Sequence, residues 1–240
     1  SLLAHLAAHD FGYLSTGLLI ERTAHALHTM QSLERHRGHF YNWYNTQSLE
    51  PLRPHYVSSV DSGNLAGHLL TLRQGLLALV DQPIVEPSLF AGMADTLAIA
   101  TDSLEGPAPS ELARIETAVR SAVDAPPGTL AAARPCLESI AKATGSLAAQ
   151  LAAGPEGQAR VWAQTLARQC QEALADLAFV APWTSLPEAS GSLDGLAGLD
   201  RIPTLRELAE AASRLLPAIE ARFRPGHADA RTELQRLVAE

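Results

Sequence analysis

Cysteine is scarce in this 240-residue chain. Cys136 and Cys170 stand alone, too few and too far apart for a zinc-ligand set or a disulfide framework. Long apolar runs are missing too. The longest near-candidate, Leu76-Leu77-Ala78-Leu79-Val80, falls well short of the roughly 20 residues that cross a bilayer and reads as part of a core helix. Positive charge is in deficit, with 18 basic against 26 acidic residues and a net charge of −8, which sets the electrostatics against a nucleic-acid backbone. No Gly-x-Ser-x-Gly, Gly-x-Gly-x-x-Gly or Walker-type loop occurs, so neither a nucleophile elbow nor a nucleotide cradle has support. His25 and His28 share a helix turn, and His36 and His39 straddle Gly38. Neither pair has the third convergent ligand or the acidic offset of a zinc site, so we expect no metal and no cofactor.

What remains is a chain that is 47% apolar and 18% charged, able to bury a core of one large or two small domains. The N-terminal Ser1-to-His9 segment has helical spacing from its first residue and lacks the basic-then-apolar order of a signal peptide. The last residues, Thr232 to Glu240, still carry a helical pattern, and both ends read as those of a piece cut from a longer chain.

Composition shifts near position 85. All four tyrosines, all three asparagines and eight of the nine histidines precede it, leaving Ala, Leu, Glu and Arg to dominate the remainder. The second part reads as successive amphipathic helices. One carries Leu112, Ile115, Val119 and Val123 and stops at Pro126-Pro127-Gly128. The next carries Leu137, Ile140, Thr144, Leu147 and Leu151 and stops at Gly154-Pro155. A third holds Val161, Cys170, Leu174 and Leu177. A capping box at Thr204-Leu205-Arg206-Glu207 opens a fourth, with Leu208, Leu215 and Ile219 inward and Pro217 shortening or kinking it.

In the first part, a helix is predicted from about Ser15 to Arg37 with Gly38 as its stop, and another from about Asp61 to Gln82, capped by Asp61 or Ser62. Between them His39–Val60 is too rich in aromatics, Asn and Pro to be helical. His39 to Tyr44 is predicted extended, and turns are predicted at Asn45–Ser48 and Glu50–Pro54. Such a long connection inside a helical domain is usually functional. Its chemistry suits sugars, since aromatic faces cover the apolar side of a pyranose while amides, carboxylates and imidazoles reach its hydroxyls. A loop whose aromatics merely plug the surface is the structural alternative.

The residues His36-Arg37-Gly38-His39-Phe40-Tyr41-Asn42-Trp43-Tyr44-Asn45-Thr46, with Leu49-Glu50-Pro51-Leu52 and Tyr56-Val57-Ser58-Ser59-Val60-Asp61-Ser62-Gly63-Asn64-Leu65-Ala66-Gly67-His68-Leu69, resemble bacterial cyclic β-1,2-glucan synthases. Asp10-Phe11-Gly12-Tyr13-Leu14 fits the same proteins. The resemblance covers roughly residues 5–80. It implies a very long inner-membrane parent with a glycosyltransferase that uses UDP-glucose, a glycoamylase-like centre and a phosphorylase-like end. The centre would be an α/α barrel that closes linear β-1,2-glucan into rings by retaining transglycosylation, on the cytoplasmic face.

On that basis the chain is expected to be all-α. Residues 1–84 would hold the opening helix pairs of the barrel, with a substrate loop at 38–64, and residues 85–240 a helical insertion. Tyr41, Trp43 and Tyr44 would stack glucose units, Asn42, Asp61, Ser62 and Asn64 would bind hydroxyls, and His39 and His68 would support the groove. The partners implied are the glucan chain and the other domains of the same polypeptide, with no nucleic acid. The family more often has Asp at the position of Asn45, and an amide cannot serve as acid or nucleophile. Retaining chemistry needs two carboxyls roughly 5–5.5 Å apart. Only Asp10, Glu50 and Asp61 are carboxyls within the resembling motifs, so the pair is expected downstream, with Asp61 a substrate-positioning residue and a lesser candidate for catalysis. The rival reading is a non-catalytic helical module that docks other domains or oligomerises.

Overall fold

The computed structural model describes residues 1–154, 156–185 and 200–210. They are all-α apart from one two-residue-per-strand hairpin. The helices are α1 (Leu2–Asp10), α2 (Thr16–Ser32), α3 (Ser59–Leu79), α4 (Pro87–Asp102), α5 (Leu112–Asp124), α6 (Leu130–Ala152) and α7 (Gln158–Val180), followed by a 3-10 turn at Pro182–Ser185.

Helices α4 to α7 close on one another: α4 touches α5 and α7, α5 touches α6, and α6 touches α7. Phe90 and Met93 from α4, Ile115 from α5, Leu137 and Ile140 from α6, and Leu166 and Cys170 from α7 are fully buried at their centre. Each such side chain contributes roughly 1.5–3 kcal/mol by leaving water. Burial pushes the Cys170 thiol up to about 12, the behaviour of a core residue and not a reactive one. The stripes read from the sequence match α5, α6 and α7, with two corrections. Val123 and Val161 are exposed (38% and 54%), and the smaller Ala122 and Ala163, one and two positions away, are buried instead. Helix α4 carries part of the same core, including Phe90, Met93 and Leu97.

Helices α1, α2 and α3 share a much smaller core of Leu14, Leu19 and Leu79, backed by Leu6, Leu18, Leu76 and Leu205. Helix α2 ends at Ser32, five residues before the expected Arg37. The chain then turns back as the antiparallel strands β1 (Arg35–His36) and β2 (His39–Phe40), pairing Arg35 with Phe40 and His36 with His39. Arg37 and Gly38 form the two-residue turn with φ of 51° and 89°. Positive φ at both positions is the turn geometry that matches strand twist, so Gly38 serves a hairpin and not a helix stop.

Helix α3 also begins earlier than expected. Ser58 is its N-cap, and the Ser58 Oγ accepts the Asp61 N–H at 3.1 Å. Asp61 therefore sits in the first turn, where a carboxylate favours the helix dipole, and Ser62 one residue further on.

Residues 200–208 run back across both groups of helices. Asp200 caps α6 by accepting the Leu130 and Ala131 amides through its carbonyl and carboxylate, both at 2.7 Å. Thr204 and Glu207 form the expected reciprocal capping box, with Thr204 N–H to Glu207 at 2.8 Å and Glu207 N–H to Thr204 Oγ1 at 3.2 Å. Arg206 grips Asp81 at the end of α3 through two hydrogen bonds of 2.6 and 3.1 Å. Leu215, Pro217, Ile219 and the expected terminal helical stretch lie outside the described residues.

Candidate functional site: a groove beside an aromatic ledge

The hairpin and the start of α3 face each other across a groove of about 460 Å³. Arg35, His39, Phe40 and Tyr41 line one side, and Asp61, Ser62 and Leu65 the other. The two sides are tied by hydrogen bonds. His39 Nδ1 meets Ser62 Oγ at 3.0 Å, and Ser62 in turn donates to the Ser58 carbonyl at 2.8 Å. The second ring nitrogen of His39 has no partner among the described residues.

Asn42 is the central tie. Its N–H donates to the Tyr56 carbonyl at 2.9 Å, its side-chain oxygen accepts the Ser58 N–H at 3.0 Å, and its amide nitrogen donates to Asp61 Oδ2 at 2.7 Å. One residue thus fixes the returning loop, the helix cap and the carboxylate together. Removing it would leave a cap N–H and a carboxylate without their partner, which costs more than the bonds themselves contribute.

Beyond Asn42 the loop folds on itself as an irregular ladder. Leu52 donates to the Trp43 carbonyl, Tyr44 bridges to Pro51, and Asn45 donates to the Glu50 carbonyl. Asn45 Oδ1 accepts the Gln47 and Ser48 amides at 2.8 and 3.0 Å, the Asx geometry expected of a turn residue and one a carboxylate oxygen could also satisfy. The Tyr44 hydroxyl is committed to the loop, accepting the Tyr41 N–H at 2.8 Å and donating to the Glu34 carbonyl at 2.7 Å.

At the outer end of this ladder, Trp43 and Tyr56 stack with centroids 6.0 Å apart and planes at 28°, and each is more than half exposed. Large aromatics stacked on each other and left open to water form a flat ledge, which a plugging role would not leave exposed. Tyr41 lies between the ledge and the hairpin, 5.0 Å from the His55 ring and 6.4 Å from His36. Arg35 sits over the Phe40 ring at 4.9 Å.

Of the residues singled out from the sequence, His39, Tyr41, Asn42, Asp61 and Ser62 line the groove, and Trp43 forms the ledge. Tyr44 braces the loop. Asn64 and His68 lie exposed on successive turns of α3 and are not among the groove's lining residues. Tyr56 and Arg35 were not singled out. Their role depends on which residue 13 or 5 positions away they meet, and composition carries no signal for that.

No family model matches the chain. The chain is 39% identical over 105 residues to the cyclic β-(1,2)-glucan synthase NdvB of Rhizobium meliloti (strain 1021). The matched stretch amounts to 43% of this chain and 4% of that protein, so the chain spans a small fraction of its relative's length.

The groove can hold and orient a polyhydroxylated ligand. Among the described residues that line it, Asp61 is the only carboxyl, and retaining chemistry needs two. Among the described residues, no group of three or more His, Cys, Asp or Glu side chains is placed to hold a metal ion, and no helix is long and apolar enough to cross a membrane.

Proposed function

We propose that this chain is a segment of a cyclic β-1,2-glucan synthase and that its groove and ledge bind the β-1,2-glucan chain during ring closure. The observation that carries the reading is the juxtaposition of an open Trp43–Tyr56 ledge with a groove holding Asp61, Ser62 and His39, in a chain 39% identical over 105 residues to such a synthase. Trp43 and Tyr56 take glucose faces, and Asp61, Ser62 and His39 take hydroxyls. Asn42 acts by holding Asp61, and Tyr44 by bracing the loop. Asn64 and His68 extend the contact along α3.

In this reading α1–α3 are the opening helices of an α/α barrel, and residues 85–240 an insertion. The parent makes glucan from UDP-glucose at the cytoplasmic face of the inner membrane and carries the catalytic carboxyls elsewhere. Remote subsites such as these favour cyclisation over hydrolysis by keeping the free chain end near its own glycosyl-enzyme intermediate, as a raised effective concentration.

A second reading is favoured by a different observation. Leu70 and Leu77 on α3 are 65% and 50% exposed, and an apolar cleft between α2 and α3 is lined by Leu27, Leu69, Leu72 and Leu76. A helix apolar on several faces is ordinarily covered, which suits a module that packs against other domains. Titration of linear β-1,2-glucan into wild type and Trp43→Ala separates the two. Loss of affinity with unchanged melting supports the groove; unchanged affinity, or no binding by wild type, supports the scaffold.

A further inference from the structure

The polar atoms of the groove divide into those already paired and those left open, and the pairing decides what the open ones can accept. Ser62 Oγ has two neighbours at hydrogen-bond distance, the Ser58 carbonyl at 2.8 Å and His39 Nδ1 at 3.0 Å. A hydroxyl carries one proton, and a carbonyl oxygen can only accept. Both bonds are made together only when the Ser62 proton goes to the carbonyl and His39 Nδ1–H donates to Ser62 Oγ. A neutral imidazole has a single N–H, so its Nε2 is then a bare lone pair. His39 is exposed, and no described residue bonds that second nitrogen.

Asp61 also keeps an acceptor free. Ser58 and Asp61 have the spacing of a capping box, in which the carboxylate ordinarily reaches back to the N-cap N–H. Here Asn42 Oδ1 takes the Ser58 N–H at 3.0 Å instead, while Asn42 Nδ2 donates to Asp61 Oδ2 at 2.7 Å. The carboxylate is relieved of the cap and tethered by one oxygen, and Oδ1 has no hydrogen bond among the described residues. His39 and Asp61 face each other across the groove.

We propose that Ser62 is a positioning residue that locks His39 in the Nδ1–H tautomer, so that the groove meets its ligand with two acceptors, His39 Nε2 and Asp61 Oδ1, and takes ligand hydroxyls as donors. This deepens the carbohydrate reading of the groove and rests on it for the ligand's identity; the lock itself does not. Without Ser62 the ring is free to carry its proton on either nitrogen, and only the fraction with a bare Nε2 can accept a hydroxyl. Affinity then falls by that fraction.

Nitrogen-15 NMR of the His39 ring, recorded on the whole chain at pH 8, tests the lock without any ligand. Wild type and Ser62→Thr, which keeps the hydroxyl, are expected to show a protonated Nδ1 and a bare Nε2. Ser62→Ala is expected to move proton onto Nε2 while its melting stays unchanged. Saturating linear β-1,2-glucan should shift the bare Nε2 resonance of wild type upfield, as acceptance of a hydrogen bond does, and Ser62→Ala should bind severalfold more weakly, with Ser62→Thr restored. A wild-type ring protonated on Nε2, or the same tautomer in Ser62→Ala, overturns the lock. Glucan that binds while the Nε2 resonance stays in place overturns the acceptor role. A wild type that binds no glucan overturns the carbohydrate reading and the ligand half of this proposal together, and the ligand-free spectra still decide the lock.

Discussion

The two groups of helices in this molecule solve different problems. Helices α4–α7 bury Phe90, Met93, Ile115, Leu137, Ile140 and Leu166 in a continuous core, with few side chains capable of chemistry. Helices α1–α3 share only the small cluster of Leu14, Leu19 and Leu79 and, with the loop between α2 and α3, leave Trp43, Tyr56, Leu70 and Leu77 in water. Their order comes instead from hydrogen bonds that converge on Asn42, Ser58 and Tyr44. Apolar burial and exposed polar chemistry are separated along the chain: the bundle supplies the core, and the loop presents its aromatic and hydrogen-bonding groups to solvent. A site built from hydrogen bonds can be disabled by single substitutions that the bundle would not register.

Substitutions on either side of that divide sharpen it, and the largest effect is expected in the bundle. Phe90→Ala opens a cavity at a fully buried position and should cost about 3–5 kcal/mol in denaturant unfolding, with little change in the groove of what remains folded. Asn42→Ala should cost less, about 1–2 kcal/mol, yet abolish glucan affinity by freeing Asp61 from its tie. Ser58→Ala removes the α3 cap and should cost about 1 kcal/mol, visible as faster exchange of the first-turn amides. Smallest in stability is Trp43→Ala, within about 0.5 kcal/mol because the ring is exposed, although it should remove most sugar binding. A loss of several kcal/mol in that last variant would place Trp43 in a structural role and erase the contrast.

Helix periodicity made the bundle legible. Leu112, Ile115 and Val119 or Leu137, Ile140 and Leu147 recur on one face, and Pro and Gly punctuate the ends. The Thr204–Glu207 capping box was legible for the same reason, since its four residues act locally. In the first third, signals with two meanings misled. Gly38 suits a helix stop or a hairpin turn equally, because both need positive φ, and only the pairing of Arg35 with Phe40 decides between them. Asp61 and Ser62 are good caps in isolation, but Ser58 three residues before Asp61 is also one, and the tie from Asn42 selects it. The candidate site was half legible. His39, Asn42, Trp43 and Asp61 stood out by type, whereas the Trp43–Tyr56 ledge and the place of Arg35 arise from how the loop folds back.

The most direct test of this division of labour is hydrogen exchange of the chain with and without saturating linear β-1,2-glucan. Binding through the groove predicts added protection in peptides spanning residues 35–69 and none across 112–177. Protection confined to the bundle, or no change anywhere at saturating glucan, would contradict it.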